Sequence, residues 1–429
     1  MKKISFIFLL ISCQLASQGY AQTRVLRLEE SKQSAVEYSM ILKNSELQIE
    51  SAKADIMSAK SAYYPSISLN GVGIYGFKDL VGAIPPLLEQ SVGNLYLFSA
   101  GATQPIYVGG KIKVGNQLAA LQLEVARIRA KQSTDSVLLV TEQKYWNLVN
   151  FQEQTKVIHA NEKMLDAILK QQNDMLTSGL IARNDMLKVK VQRSKLLLNK
   201  TKLESGHKLA LLDFCMYTGV AFSDSLLMQD TLAGVEKTPL LLAPDISLEV
   251  NSTYVLIKKR LESEKLKTKL ARGEYLPTVS IGVNAAQFGG ISNGLGSKFI
   301  PISMATVQVP ISDWWGKGKQ KLKQRQLSEQ IAQNQFKDVE SQLLVGITKA
   351  WYDMSDALKE IGFAQENFQQ AQENLKVSQD NYASGLVGIT ELIDAQALYQ
   401  QANSELVNSL ANFRSKQASY YFLTGKHTN

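Results

Sequence analysis

Two carboxylates, Glu391 and Asp394, stand three residues apart in the stretch ITELIDAQ, at the start of a segment whose pattern predicts a helix. That spacing places both on one helical face. Acidic groups in a first helical turn complement the helix dipole. Several copies gathered around one opening would do something further, because a ring of carboxylates in a confined space attracts cations and repels anions. Asp185 holds the place of Glu391 in an earlier stretch, RNDMLKVK, but Lys188 stands there where the later stretch has Asp394. One acidic position is therefore common to both stretches, and the second belongs to one alone.

Other groups that could do chemistry lack their context. His159, His207 and His427 lie far apart in polar or chain-end surroundings, and no pair has metal-site spacing. No serine sits in a G-x-S-x-G context. The stretch GVGIYG, Gly71 to Gly76, matches a dinucleotide-binding pattern, but Pro85 and Pro86 follow where a crossover helix would be required. Glycines of a closely packed strand account for it better. Neither an enzyme, a cofactor nor a metal site is expected.

The first 21 residues have the layout of a cleaved export signal: two lysines, an apolar run, then a polar stretch ending in Ala21. Cys13, after LIS, offers a competing reading as a lipid-modified cysteine that would anchor the chain. With Cys13 removed, Cys215 is the single remaining thiol, so stability must come from packing rather than from a disulfide. Loss of Lys2 and Lys3 from 47 basic residues against 39 acidic ones leaves a mild +6. No apolar run after the leader reaches the roughly eighteen residues a spanning helix needs, so a membrane crossing would have to be made of β-strands.

The elements that carry the carboxylates are written twice. SGLIARNDMLKVK, from Ser178, returns as SGLVGITELIDAQ, from Ser384, and the same offset pairs Gly110 with Gly316, Leu138 with Leu344 and Thr218-Gly219 with Thr424-Gly425. A register held over about 110 residues marks a duplicated structure. The expected organisation is a leader at 1–21, a first repeat at 22–220, a linking equatorial segment at 221–245 and a second repeat at 246–429. Each repeat opens with an amphipathic helix, about 30–62 and 248–275, ended by Pro65 and Pro277. A β-hairpin follows, about 65–108 and 277–311, with clear alternation at Val279, Ile281 and Val283. Helical hairpins follow at about 110–218 and 316–424, turning at the SGL motifs, where Gly179 and Gly385 supply the left-handed conformation that ends a helix. Leu180 and Leu386 are apolar residues on turns that should face water.

The descending segment of the second repeat would be about 100 Å long as a single helix. Leu343, Ile347, Ala350, Met354, Ala357, Ile361, Ala364, Phe368, Ala371 and Leu375 form a heptad seam along it, whose alanines allow close helix approach. Trp314 and Trp315 precede Lys317, Lys319, Lys321, Lys323 and Arg325, the pattern of a chain leaving hydrocarbon for headgroups. An export signal argues against reading these cations as a nucleic-acid patch. Four strands cannot close a barrel, so several chains must contribute strands to one.

The duplicated helix–hairpin–helix order, the SGL turns followed by RNDML and ITELIDAQ, and the closing YTG and LTG resemble the TolC family of outer-membrane efflux proteins over essentially the whole exported chain. The resemblance implies a mainly α protein with a membrane β part: a homotrimer with a twelve-stranded β-barrel and a coiled-coil α-barrel crossing the periplasm. It implies an exit duct for efflux or type I secretion, seated in outer-membrane lipid and partnered by a periplasmic adaptor and an inner-membrane transporter. Ser178, Gly179, Leu180, Arg183, Ser384, Gly385 and Leu386 become the tip loops where the adaptor docks. Glu391, Asp394 and Asp185 become the entrance constriction. The family often carries a basic residue in the second tip loop; here that loop has Val387 and Gly388, and Arg183 lies in the first. A non-conducting secreted or surface-anchored coiled coil is the alternative.

Overall fold

A computed structural model describes residues 24–75, 95–234, 243–290 and 297–426. The leader with Cys13, His427 and most of the loops within the two β-hairpins lie outside these described residues. The order is β1 (Val25–Leu26), α1 (Leu28–Tyr38), α2 (Met40–Ser61), β2 (Ser66–Ile74), β3 (Leu95–Val108), α3 (Lys111–Thr177) and α4 (Arg183–Thr218). Then come β4 (Leu227–Met228), α5 (Ser252–Gly273), β5 (Thr278–Gly290), β6 (Lys298–Gln308), a 3-10 turn at Ile311–Trp314, α6 (Lys317–Ala383) and α7 (Ile389–Thr424). The duplication is kept to the residue: α3 and α6 each have 67 residues, and α4 and α7 each have 36.

Contacts divide the chain into two compact units. One comprises the chain up to Asn44, Lys131–Ser252 and Gln342–Asn429. Its largest apolar cluster includes Leu26, Tyr145, Trp146, Leu211, Phe214, Cys215, Leu226 and Met228. β1 and β4 pair in parallel beside it, with Val25 opposite Leu227 and Leu26 opposite Met228. The Tyr145 hydroxyl donates to the Asp230 carboxylate at 2.5 Å and accepts the Asp230 N–H at 3.3 Å. That carboxylate also takes the Leu28 N–H at 3.1 Å, which ties the start of α1 to the connecting segment. Burial, then the Asp230 carboxylate, push the Tyr145 phenol well above its usual range.

Sequence periodicity predicts one opening helix over about 30–62, and the structure corrects this to two. At Ser39 the backbone leaves helical geometry, with φ −56° and ψ 117°. Tertiary packing overrides the pattern: Tyr38 lies against Gly219, leaving no room for a side chain at that position. Along α6, Ile347, Met354, Ala357, Ile361, Ala371 and Leu375 of the heptad seam are buried, as the spacing requires.

The second unit comprises Ser45–Ala130 and Thr253–Ser341. Its sheet has the order β2-β3-β5-β6 with every neighbour antiparallel. Directly opposed residues share a face, so Leu69, Ala100 and Ala285 form part of one apolar surface. Ser68, Gly101 and Asn284 form a row on the other, where the Asn284 side chain lies across Gly101. The β3–β5 register slips between Pro105 and Tyr107, a strand irregularity at a residue that lacks a backbone donor. The outer edges of β2 and β6 have no strand partner among the described residues.

His207, on α4, packs on Phe151 with ring centroids 5.9 Å apart. Burial holds its imidazole below the ordinary value near 6.5, against a smaller opposing effect of the Asp224 charge. The folded state therefore disfavours the protonated ring, so its contribution to stability is fully present above about pH 6.5 and is lost as pH falls through the lower folded value. The fall in melting temperature between about pH 7 and pH 5 should be smaller in His207→Gln than in the unmodified protein.

Candidate functional site

The two SGL turns are the same motif built twice. Gly179 has φ 72° and Gly385 has φ 73°, the left-handed conformation that the sequence reading assigned them. The Gly179 and Leu180 N–H groups donate to Leu176 and Met175 carbonyls at 3.0 and 2.9 Å, and those of Gly385 and Leu386 donate to Tyr382 and Asn381 at 3.1 and 2.9 Å. Ser178 and Ser384 each donate a hydroxyl to the carbonyl four residues back, Asp174 and Asp380, at 2.9 Å. This is a doubled Schellman cap, in which the residue after the glycine usually folds back on the helix. Here it does not: Leu180 is 71% exposed and Leu386 is 75% exposed. Space is open around both glycines, so a side chain there would meet only the conformational cost of positive φ.

The ends of the two hairpins pack together. Ile168, Val189, Leu375, Ile389, Leu392, Ile393 and Ala395 form one buried cluster, with Met164, Leu169, Tyr382 and Tyr399 against it. The Gln172 amide donates to the Tyr382 hydroxyl from a fully buried position. Lys188 joins the repeats across the surface: its ammonium lies 3.2 Å from Asp185 and donates to the Thr390 hydroxyl at 2.9 Å. The candidate carboxylates therefore differ in state. Asp185 is neutralised by Lys188, whereas Glu391 and Asp394 are exposed and form no ion pair among the described residues. Arg183 is exposed and likewise unpaired, and Gly388 begins α7 in extended geometry.

Sequence reasoning found the doubled turn and its acids but missed Lys188, Thr390, Gln172 and Tyr382 as connectors. Lys188 stood out as the odd residue of the repeat, and its i,i+3 spacing from Asp185 was a local signal for their ion pair. Its bond to Thr390 spans 202 residues and leaves no local signal.

At the other end of α6, Trp314 and Trp315 are exposed, and the Trp314 indole donates to the Tyr275 carbonyl at 3.0 Å, fixing the ring where the chain enters β5. Lys317 and Lys319 are exposed at the first turn of α6. Residues 71–74 of the glycine-rich stretch are β2 ladder residues with Phe98 over Gly71, which leaves no phosphate cradle there. Among the described residues no group of acidic, histidine or cysteine side chains is placed to hold a metal.

Comparison with known proteins supports the architecture. The family model described as outer membrane efflux protein matches residues 33–204 and 257–426, one match per repeat. No curated protein sequence matches the chain. Among solved structures, the CmeC outer membrane channel of Campylobacter jejuni is similar at 14% identity and TM-score 0.78, over 93% of this chain and 85% of that one. The outer membrane protein VceC of Vibrio cholerae is similar at 13% identity and TM-score 0.75, over 94% and 97%. The open-state MtrE outer membrane channel of Neisseria gonorrhoeae is similar at 13% identity and TM-score 0.74, over 93% and 89%. With both repeats matched by one family model and a fold shared with these channels, the chain belongs to the outer membrane efflux protein family, the TolC-like channels of the outer membrane, and is not an enzyme.

Proposed function

We propose that three copies of the chain assemble into one conduit, the exit duct of a tripartite efflux or type I secretion system. The observation that carries this is the pair of unpaired edges on the β2-β3-β5-β6 sheet. In hydrocarbon each unpaired backbone group costs several kcal/mol, so β6 of one chain must pair with β2 of the next until the sheet closes. Two chains would give eight strands and an interior filled by side chains; three give twelve and room for water. The apolar face with Leu69, Ala100 and Ala285 turns to lipid, and the row of Ser68, Gly101 and Asn284 turns to the lumen. Trp314, Trp315, Lys317 and Lys319 mark the periplasmic boundary of the membrane. Single-channel recording in planar bilayers tests the reading: the oligomer conducts, whereas a solid coiled coil gives no current.

The SGL turns form the periplasmic tips and take the adaptor, which in turn connects to an inner-membrane transporter that selects the cargo. Exposed Leu180 and Leu386 support this, since an apolar side chain held in water by a rigid cap is suited to cover by a partner. Ser178, Arg183 and Ser384 flank them. Gly385→Val should cost about 1–2 kcal/mol locally through its positive φ and reduce efflux while leaving oligomer assembly intact. Unchanged drug susceptibility at normal expression would remove Gly385 from the docking surface.

Glu391 and Asp394 line the entrance, where three copies of each form a ring of unneutralised carboxylate. Asp185 contributes less because Lys188 offsets it at 3.2 Å. The pore should therefore be cation-selective in a salt gradient, and Glu391→Ala with Asp394→Ala should shift the reversal potential toward zero and weaken block by multivalent cations. Lys188→Ala should shift it the other way, by exposing Asp185. Equal cation and anion permeability in the unmodified channel would reject the ring.

A further inference from the structure

In the body of the helical hairpins the order across the layer is α4, α3, α7, α6. Arg193 and Lys200 of α4 pair with Asp166 and Glu162 of α3 at 2.6 and 2.7 Å, and Lys416 of α7 lies 3.7 Å from Asp353 of α6. The middle seam, where the two repeats meet, is mostly neutral and polar. The amides of Gln143, Asn150 and Gln154 on α3 donate to the Ser419 hydroxyl, the Asn408 side chain and the Ser404 carbonyl on α7, at 3.2, 3.1 and 2.8 Å. Gln154 also reaches Asn408 at 3.1 Å, and the Arg414 guanidinium lies 5.0 Å from the centre of the Trp146 ring.

Duplication makes α6 the twin of α3, and α4 the twin of α7. In a closed ring the second repeat of one copy stands beside the first repeat of the next, so α6 there meets α4 as α3 meets α7 within one chain. Carried over by the offset that relates Gly179 to Gly385, the neutral contacts become opposite charges. Gln143 and Ser419 become Lys349 and Asp213, Asn150 and Asn408 become Asp356 and Lys202, and Gln154 facing Asn408 becomes Glu360 facing Lys202. Trp146 and Arg414 become Tyr352 and Lys208, again an aromatic ring and a cation. None of these pairs sets like charge against like.

Exposure agrees with a surface that awaits its twin contact. Trp146 and Gln154, which meet α7, are buried, whereas Tyr352, Glu360 and the other carried-over side chains are all exposed. Phe363 and Leu198, 72% and 56% exposed, fall level with each other in the same register. Lys202, Lys208 and Glu360 form no ion pair among the described residues. Lys349 and Asp356 have partners only one turn away on their own helix, Asp353 at 2.8 Å and Lys359 at 3.1 Å, and such pairs contribute a few tenths of a kcal/mol. Asp213 meets Lys144 of its own chain and still has 64% of its side chain exposed.

We propose that α6 of one copy packs antiparallel on α4 of the next in the α3–α7 register, with Lys202 between Asp356 and Glu360, Asp213 opposite Lys349, and Lys208 over Tyr352. The neutral seam joins the repeats of one chain, and the charged seam selects the neighbouring copy and its register. The proposal rests on the closed ring of copies argued above and not on the number of chains in it.

Charge reversal in the full-length oligomer in detergent is the test, with dissociation on dilution followed by native mass spectrometry and conductance recorded in parallel. Lys202→Glu, and separately Asp356→Lys with Glu360→Lys, should each raise the concentration at which half the oligomer dissociates by about tenfold, and the three substitutions together should restore it to within about threefold. Unchanged dissociation in either reversal, or losses that the combination does not repair, would overturn this register while a conducting oligomer leaves the conduit standing. An unmodified chain that neither oligomerises nor conducts would overturn both.

Discussion

A β-sheet in hydrocarbon cannot keep an open edge, and among the described residues this protein's sheet has two. Every backbone N–H and C=O at membrane depth needs a partner, because no water is present to supply one. Within the sheet the demand is met by three antiparallel ladders, β2-β3, β3-β5 and β5-β6. At the outer sides of β2 and β6 it is met by nothing in the same chain among the described residues. The proposed assembly, the lumen and the gathering of tips around one entrance all follow from that requirement. A chain with these edges is incomplete alone in a way that a chain with an unfilled pocket is not.

The duplication supplies symmetry cheaply, and the departures from it carry the specificity. Identical caps at Gly179 and Gly385 and equal helix lengths give two hairpins of matching length. Onto that frame the second repeat adds Asp394 where the first has Lys188. That change leaves Asp185 neutralised and Glu391 unneutralised, so two hairpins of one design present different electrostatics at their ends. The Lys188 bond to Thr390 then uses the asymmetry to hold the hairpins to each other.

Much of this was legible in the sequence because it depends on local pattern. Gly385 after a serine, the four-and-three spacing of Ile347, Ala350, Met354, Ala357 and Ile361, and the alternation at Val279, Ile281 and Val283 each specify backbone geometry within a few residues. The break at Ser39 was not legible, since it answers to Tyr38 packing on Gly219, far along the chain. Neither was the β1–β4 pair, because two residues per strand are too few to show a period. At the candidate site, residue types announced the acids, and Lys188 lies three residues from Asp185 on the same helix, but its bond to Thr390 exists only once α4 and α7 are both in place.

Cysteine pairs placed along β2 and β6, one in each strand and oxidised in purified membranes, test the closure of the sheet most directly. Pairing between the β6 edge of one copy and the β2 edge of the next predicts covalent oligomers at one register, in a ladder that ends at three chains. The absence of cross-links at every register, or a ladder that ends at two, would contradict it.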